Sequence, residues 1–208
     1  ALVDEVAPAA ARAGAVNTIV NRDGRLLGDN TDIDGFATAL AETCPDVATR
    51  PALLLGAGGA ARAVALVLEA LAAPAIALAN RDPARAERLA VDLAIPRLET
   101  APFDDATLRR RLPGVRLLVN CTSLGWKAGE TPLAGDLLAL LPDDALVADL
   151  TYRQTELLQR AADRGLATLD GLAMLVHQGA RAFSLWTGQP APTATMFAAA
   201  RAARAASG

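Results

Sequence analysis

The chain has 208 residues, 52% of them apolar, and 20 Lys and Arg against 23 Asp and Glu leave a formal net charge of −3. The apolar fraction is enough for one large domain or one and a half ordinary ones, whereas the acidic balance and an aromatic content of 3% exclude a nucleic-acid binder that tracks phosphates or stacks bases. Two cysteines, Cys44 and Cys121, and one histidine, His177, make neither a disulfide framework nor a zinc set, so no metal is expected.

The opening stretch "ALVDEVAPAAARAG" carries acids and lacks the basic flank and apolar run of a signal peptide. The longest apolar stretch, "AVALVLEALAAPAIALA", is broken by Glu69 and Pro74, so a cytoplasmic protein without a membrane span is expected. Residues 2–12 read as a short helix ending at Gly14. "AVNTIVNRDGRLLGDN" alternates around the turn signal Asn21-Arg22-Asp23-Gly24, which predicts a β-hairpin. A helix follows from about Asp32 to Glu42 and stops before Pro45. Within "GDNTDIDGF", Thr31 reads as the N-cap, Asp34 as the residue reaching back to it, and Asp32 and Asp34 as first-turn acids favoured by the helix dipole.

From Pro51 the rhythm changes. "ALLLGAGGAARAVALVLEALAAPAIALANRD" is a short apolar strand, a glycine turn, a helix and a second apolar strand, a βαβ unit of a parallel sheet covered on both faces. Further strands are expected at 115–120, 145–150 and 167–170, with helices between them at 83–94, 133–141 and 155–164. The alternation implies an α/β fold with a Rossmann-like, doubly wound parallel sheet. A helix from Gly171 to Trp186, a "TGQPAP" break and an alanine-rich helix close the chain.

"GAGGAA", Gly56 to Ala61, follows a strand and opens a helix, the setting in which a G-x-G-x-x-G/A pattern signals a dinucleotide. Gly56 permits the turn, Gly58 lets the backbone approach a pyrophosphate, and Ala61 allows close helix–strand packing; the phosphates then rest on the free amides of the Ala57-Gly58-Gly59-Ala60 stretch. The end of the second strand selects the cofactor. In "NRDPARAER", Arg81 and Arg85 converge on a dianionic 2′-phosphate beside Asn80, which favours NADP. Asp82 reads as a helix cap ahead of Pro83 rather than as a ribose ligand, although as a carboxylate in that place it leaves NAD open.

Taken in order, "GAVNTIV", "GDNTDIDGF", "LLLGAGGAARAV", "NRDPARAE", "VNCTSLGW", "ADLTYRQTELL" and "DGLAMLVHQGARAFSLWTG" resemble the shikimate dehydrogenase family nearly end to end, quinate/shikimate dehydrogenases included. The resemblance implies hydride transfer between NADP(H) and the C3 oxygen of 3-dehydroshikimate/shikimate in aromatic amino-acid (chorismate) biosynthesis. It implies that Asn17, Asp32, Tyr152 and Gln178 bind the substrate, with Asp32 also catalytic, and that Gly171, Leu150 and the loop of Thr122 and Ser123 border the nicotinamide. It further implies a remnant of an α/β substrate-binding domain over 1–44, an NADP-binding domain over 45–170, and C-terminal helices over 171–208 packing back toward the substrate domain. His177 receives no role, and Trp126, Trp186 and Met174 read as packing.

The family's catalytic lysine belongs to an "NVTxPxK"-like segment upstream of "AVNT", and Lys127, the one lysine present, lies elsewhere. A chain that opens mid-helix without Met reads as a fragment, with a natural short form as the alternative; either way it is expected to bind NADP(H) and to turn over shikimate weakly or not at all. An NAD-linked quinate-type dehydrogenase and a non-catalytic nucleotide-binding module remain as other readings, and the sequence is equally compatible with a monomer and a homodimer.

Overall fold

The computed structural model describes residues 2–127 and 129–206. A strand, β1 (Glu5–Val6), and a helix, α1 (Pro8–Ala13), replace the helix expected over 2–12. Pro8 is the reason: it suits the first helical position and disfavours helix in the residue before it, so the preceding residues pair with the hairpin instead. That hairpin, β2 (Thr18–Arg22) and β3 (Arg25–Asp29), forms as expected. Its two-residue turn places Asp23 at φ 54° and Gly24 at φ 88°, both positive as a type I′ turn requires.

The hairpin's open ends matter most. Thr18 pairs with Asp29, so the residue before β2, Asn17, lies beside the start of α2 (Thr31–Thr43). The cap of α2 differs from expectation. Asn30, not Thr31, caps it, its side chain accepting from the Asp32 amide at 3.1 Å, and Thr31 is the first helical residue, fully buried. Asp32 and Asp34 occupy the first turn as expected.

The second unit runs β4 (Ala52–Leu55), α3 (Gly59–Ala70), β5 (Ile76–Asn80), α4 (Pro83–Leu93), β6 (Leu98–Pro102), α5 (Asp105–Arg111), β7 (Leu117–Asn120), α6 (Gly135–Leu138), β8 (Leu146–Asp149), α7 (Glu156–Asp163) and β9 (Ala167–Asp170). β6 and α5 carry no clear periodic signal: β6 is a mostly exposed edge strand ending in proline, and α5 is short and capped by Asp104. The helix expected over 133–141 shrinks to α6.

The strands pair, all parallel, in the order β6-β5-β4-β7-β8-β9. Along fully buried β4, Leu53 and Leu55 join the apolar cluster under α5, α6 and α7, while Ala52 and Leu54 join the cluster under α3 and α4, as side chains that alternate between faces must. Counted from β4 this is the doubly wound order, whose connections reverse direction between β4 and β7 and leave a crevice at the strands' carboxyl ends. Among the described residues no helix is long and apolar enough to cross a membrane.

α8 (Gly171–Thr187) and α9 (Thr193–Ala206) complete the chain, and α8 lies along α2. A Cβ on Gly35 would stand 2.7 Å from Gln178 Cβ and 2.8 Å from the Met174 carbonyl, so backbone and helix meet there directly. Polar contacts hold the rims: the Arg181–Asp34 ion pair at 2.9 Å, and a hydrogen bond between His177 Nε2 and the Glu42 carboxylate at 3.2 Å. Gly35→Ala is therefore expected to lower stability by about 1–3 kcal/mol through overpacking, although alanine is the better helix former; thermal denaturation measures it.

Candidate active site

The crevice between β4 and β7 opens as a cleft of about 230 Å³, lined by Gly56, Ala57, Gly58, Asn80, Arg81, Arg85, Phe103, Thr122, Ser123 and other residues of these strand ends. Gly56 turns at φ 105°, and a Cβ there would lie 2.9 Å from Thr122 Cγ2 and 3.0 Å from the Cys121 carbonyl; only glycine brings the turn so close to the neighbouring loop. At Gly58 and Gly59 a Cβ would meet nothing within 4 Å. The space over both faces the start of a 12-residue helix that no side chain caps. Unpaired amides beneath open space suit a phosphoryl group, so the residues present fit a dinucleotide. Gly59 borders an adjoining hollow, and Ala60 lines neither.

At the end of β5, Asp82 caps α4, its carboxylate accepting from the Ala84 amide at 3.0 Å, and Asn80 Nδ2 donates to the Asp82 carbonyl at 2.8 Å. Asp82 is thereby turned to the helix and lines no part of the cleft. Arg81 and Arg85 do line it.

Two buried polar side chains shape the loops beyond β7 and β8. Asn120 accepts at Oδ1 from the Thr122 amide (3.0 Å) and hydroxyl (2.7 Å), and donates from Nδ2 to the Leu124 carbonyl at 3.0 Å. Asp149 accepts from the Thr151 amide at 2.9 Å and the Thr155 hydroxyl at 2.8 Å. Both are fully buried, so these bonds decide the loop conformations rather than decorate them. The loops also touch. A Cβ on Gly125 (φ 110°) would lie 3.0 Å from Thr155 Cγ2, and the Trp126 ring meets Tyr152 edge-on with centroids 4.8 Å apart.

A second pocket, of about 330 Å³, is lined by Asn17, Asp32, Leu150, Tyr152, Gly171, Met174, Leu175 and Gln178. It thus brings together Asn17, Asp32, Tyr152 and Gln178 from four separate stretches of chain. Leu150 and Gly171 border this pocket, not the dinucleotide cleft, and Gly171 packs so tightly that a Cβ would fall 2.2 Å from the Leu150 carbonyl. Asn17 Oδ1 accepts from the Thr31 amide at 2.9 Å, which leaves its Nδ2 for Asp32. Gln178 Oε1 lies 3.2 Å from the Thr31 hydroxyl, and its Nε2 donates to the Leu175 carbonyl at 3.0 Å. One amide proton of Gln178 remains for the pocket. Burial raises the Asp32 pKa, and the Asn17 hydrogen bond opposes that only in part.

Met174 and Trp126 exceed their reading as packing residues, and Phe103 joins the site without any signal in the sequence. Met174 packs in the core and also walls the Asp32 pocket, Trp126 braces Tyr152, and Phe103 walls the dinucleotide cleft. None is signalled by spacing, because each acts through a contact made across loops. Among the described residues no group of His, Cys, Asp and Glu could hold a metal ion.

The chain is similar to known proteins along most of its length. Residues 171–201 match the shikimate 5′-dehydrogenase C-terminal domain. NADP(+) shikimate dehydrogenases of Symbiobacterium thermophilum and Rhodospirillum rubrum are 47% and 50% identical, over 98% and 90% of this chain and 71% and 68% of the relatives. The solved shikimate 5-dehydrogenase of Thermus thermophilus in complex with NADP(H) and shikimate superposes with a TM-score of 0.83 at 41% identity, over 97% of this chain and 73% of that one. A quinate dehydrogenase of Corynebacterium glutamicum in complex with NAD gives 0.86 at 31% identity, over 94% and 71%.

Asp32 supplies a test of the pocket's electrostatics. A carboxyl whose pKa is raised on folding costs stability once ionised, so the cost is absent at low pH and grows as pH rises through the raised pKa. Asp32→Asn is expected to melt above the wild type at neutral pH, the gap closing as pH falls into the ordinary carboxylate range; parallel thermal melts across pH measure it.

Proposed function

The chain belongs to the shikimate dehydrogenase family, and from that membership we propose reversible hydride transfer between NADP(H) and the C3 oxygen of 3-dehydroshikimate and shikimate. The convergence of Asn17, Asp32, Tyr152 and Gln178 on one pocket carries the reading. A polyhydroxylated acid needs paired donors and acceptors, since unmatched buried polar groups lose affinity. Here an amide, a carboxylate, a phenol and a second amide supply them. When bound, the dinucleotide gives or takes up the hydride.

The chain's own residues do the rest. The amides at Gly58 and Gly59 hold the pyrophosphate, and Arg81 and Arg85 hold the 2′-phosphate. The commitment of Asp82 to its cap supports NADP over NAD, because no carboxylate then lines the cleft to repel that phosphate. Asp32 exchanges a proton with the substrate hydroxyl, and a pKa raised by burial suits it to that task.

The step needs a group that carries the hydroxyl proton; the family resemblance implies a lysine beside that carboxylate, and Lys127, the one lysine of the 208 residues, does not line the pocket. We therefore expect this polypeptide to bind NADPH saturably and to oxidise shikimate slowly. Nucleotide fluorescence and NADP-linked absorbance measure the two. Gly58→Ala is expected to weaken NADPH binding roughly ten-fold or more, because the added methyl occupies the space through which a pyrophosphate approaches the backbone, with its melting temperature unchanged because that Cβ meets nothing within 4 Å of the protein. Rapid shikimate oxidation by this polypeptide would refute the reading of Asp32 as an unassisted acid, and failure to bind NADPH would refute the cofactor assignment.

A further inference from the structure

Beside the dinucleotide cleft lies a second hollow of about 250 Å³, lined by Ala57, Gly58, Gly59, Arg62, Arg85, Arg88 and Asp92. Arg85 walls both spaces. Arg88 stands three residues further along α4, the spacing that sets two side chains on one helix face. Neither arginine has an acidic partner within 4.0 Å among the described residues, and both are exposed. The one acid in the hollow, Asp92, is held by Arg62 in an ion pair that ties α3 to α4. The hollow therefore has its acid neutralised and presents two uncompensated guanidinium groups beside the glycine turn.

We propose that Arg88 is a specificity-determining residue for NADP(H): together with Arg85 it binds the 2′-phosphate from the side of this second hollow. The inference rests on the cofactor reading above and extends it. A pyrophosphate seated on the Gly58 and Gly59 amides directs the adenosine ribose toward the end of β5, where α4 begins. A phosphate on that ribose meets Arg85 at the shared wall, and Arg88 is the next cation on the same helix face. Arg81 and Arg85 face the phosphate from the cleft, and Arg88 adds a third planar fork from the direction of the hollow, which neither of the other two supplies. NADH has no group at that position, so Arg88 acts on one cofactor and not on the other.

The test titrates NADPH and NADH by nucleotide fluorescence against the wild-type chain, Arg88→Ala and Arg88→Lys. For Arg88→Ala we expect NADPH binding to weaken roughly three- to ten-fold, between the values of an exposed ion pair and a charge-assisted hydrogen bond. NADH binding is expected to stay within about two-fold, because an exposed side chain without an ion pair contributes little else. Arg88→Lys recovers part of the loss, and the salt dependence of NADPH binding becomes shallower in Arg88→Ala. Melting temperatures of the variants match the wild type. Equal weakening of both nucleotides, or no change in either, overturns the proposal while leaving the cofactor reading intact. A wild-type chain that binds neither nucleotide overturns the cofactor reading and this inference with it.

Discussion

Where α8 crosses α2, the bare backbone of Gly35 lets Gln178 and the Met174 carbonyl come within a distance that no side chain permits. The substrate pocket follows from that approach. α2 carries Asp32 one turn before Gly35, and α8 carries Gln178 one turn after Met174, so closing the helices sets carboxylate and amide on one cavity wall. Thr31 then has room to reach both Asn17 and Gln178 with one hydroxyl. A wider helix pair would cost that buried threonine its bond to Gln178 and leave it only Asn17 and Thr18. Packing and polar satisfaction thus select the same interhelical distance.

The sheet contributes a different kind of order. Apolar strands fix where their carboxyl ends lie but say nothing about the path of the loops that leave them. That decision falls to Asn120 and Asp149, the last residues of β7 and β8, each buried and each bonded to residues just ahead in its own loop. Because both loops are held at their bases, their tips can meet through Trp126 and Tyr152 with defined geometry. Arg153 adds a cation over the Trp126 ring, 5.4 Å from its centroid. Tyr152 is 40% exposed, and its position over the pocket owes more to this neighbour than to burial.

What was legible in the sequence divides along physical lines. β4, α3 and β5 could be read because a strand covered on both faces is uniformly apolar and a glycine fingerprint punctuates it. The hairpin could be read because Asp-Gly favours its turn. β6 escaped because an exposed edge strand needs no apolar run, and the N-cap of α2 was misplaced because Asn30 and Thr31 are both good caps. Tertiary structure broke that tie: Asn17 takes the Thr31 amide, and the Thr31 side chain turns inward. The pocket residues were legible only through family resemblance. A lone glutamine in a helix or a tyrosine in a loop carries no chemical signature of its own, and Met174 and Trp126 gained their places from contacts between distant segments.

Asp32 and Asp34 show how far two residues on one helical turn can diverge. Both stand where the helix dipole favours a negative charge. Asp34 faces outward and meets Arg181, an arrangement that serves the α2–α8 contact. Asp32 faces the pocket, with no cation within 4.0 Å among the described residues, and there desolvation outweighs the hydrogen bond from Asn17, so its pKa rises. A first-turn aspartate would ordinarily move the other way. The departure identifies Asp32 as a group whose proton affinity the pocket controls, and anything that changes the pocket's polarity changes it in a defined direction. A cation placed opposite Asn17 would draw the pKa down, whereas an apolar wall closing over the pocket would push it further up.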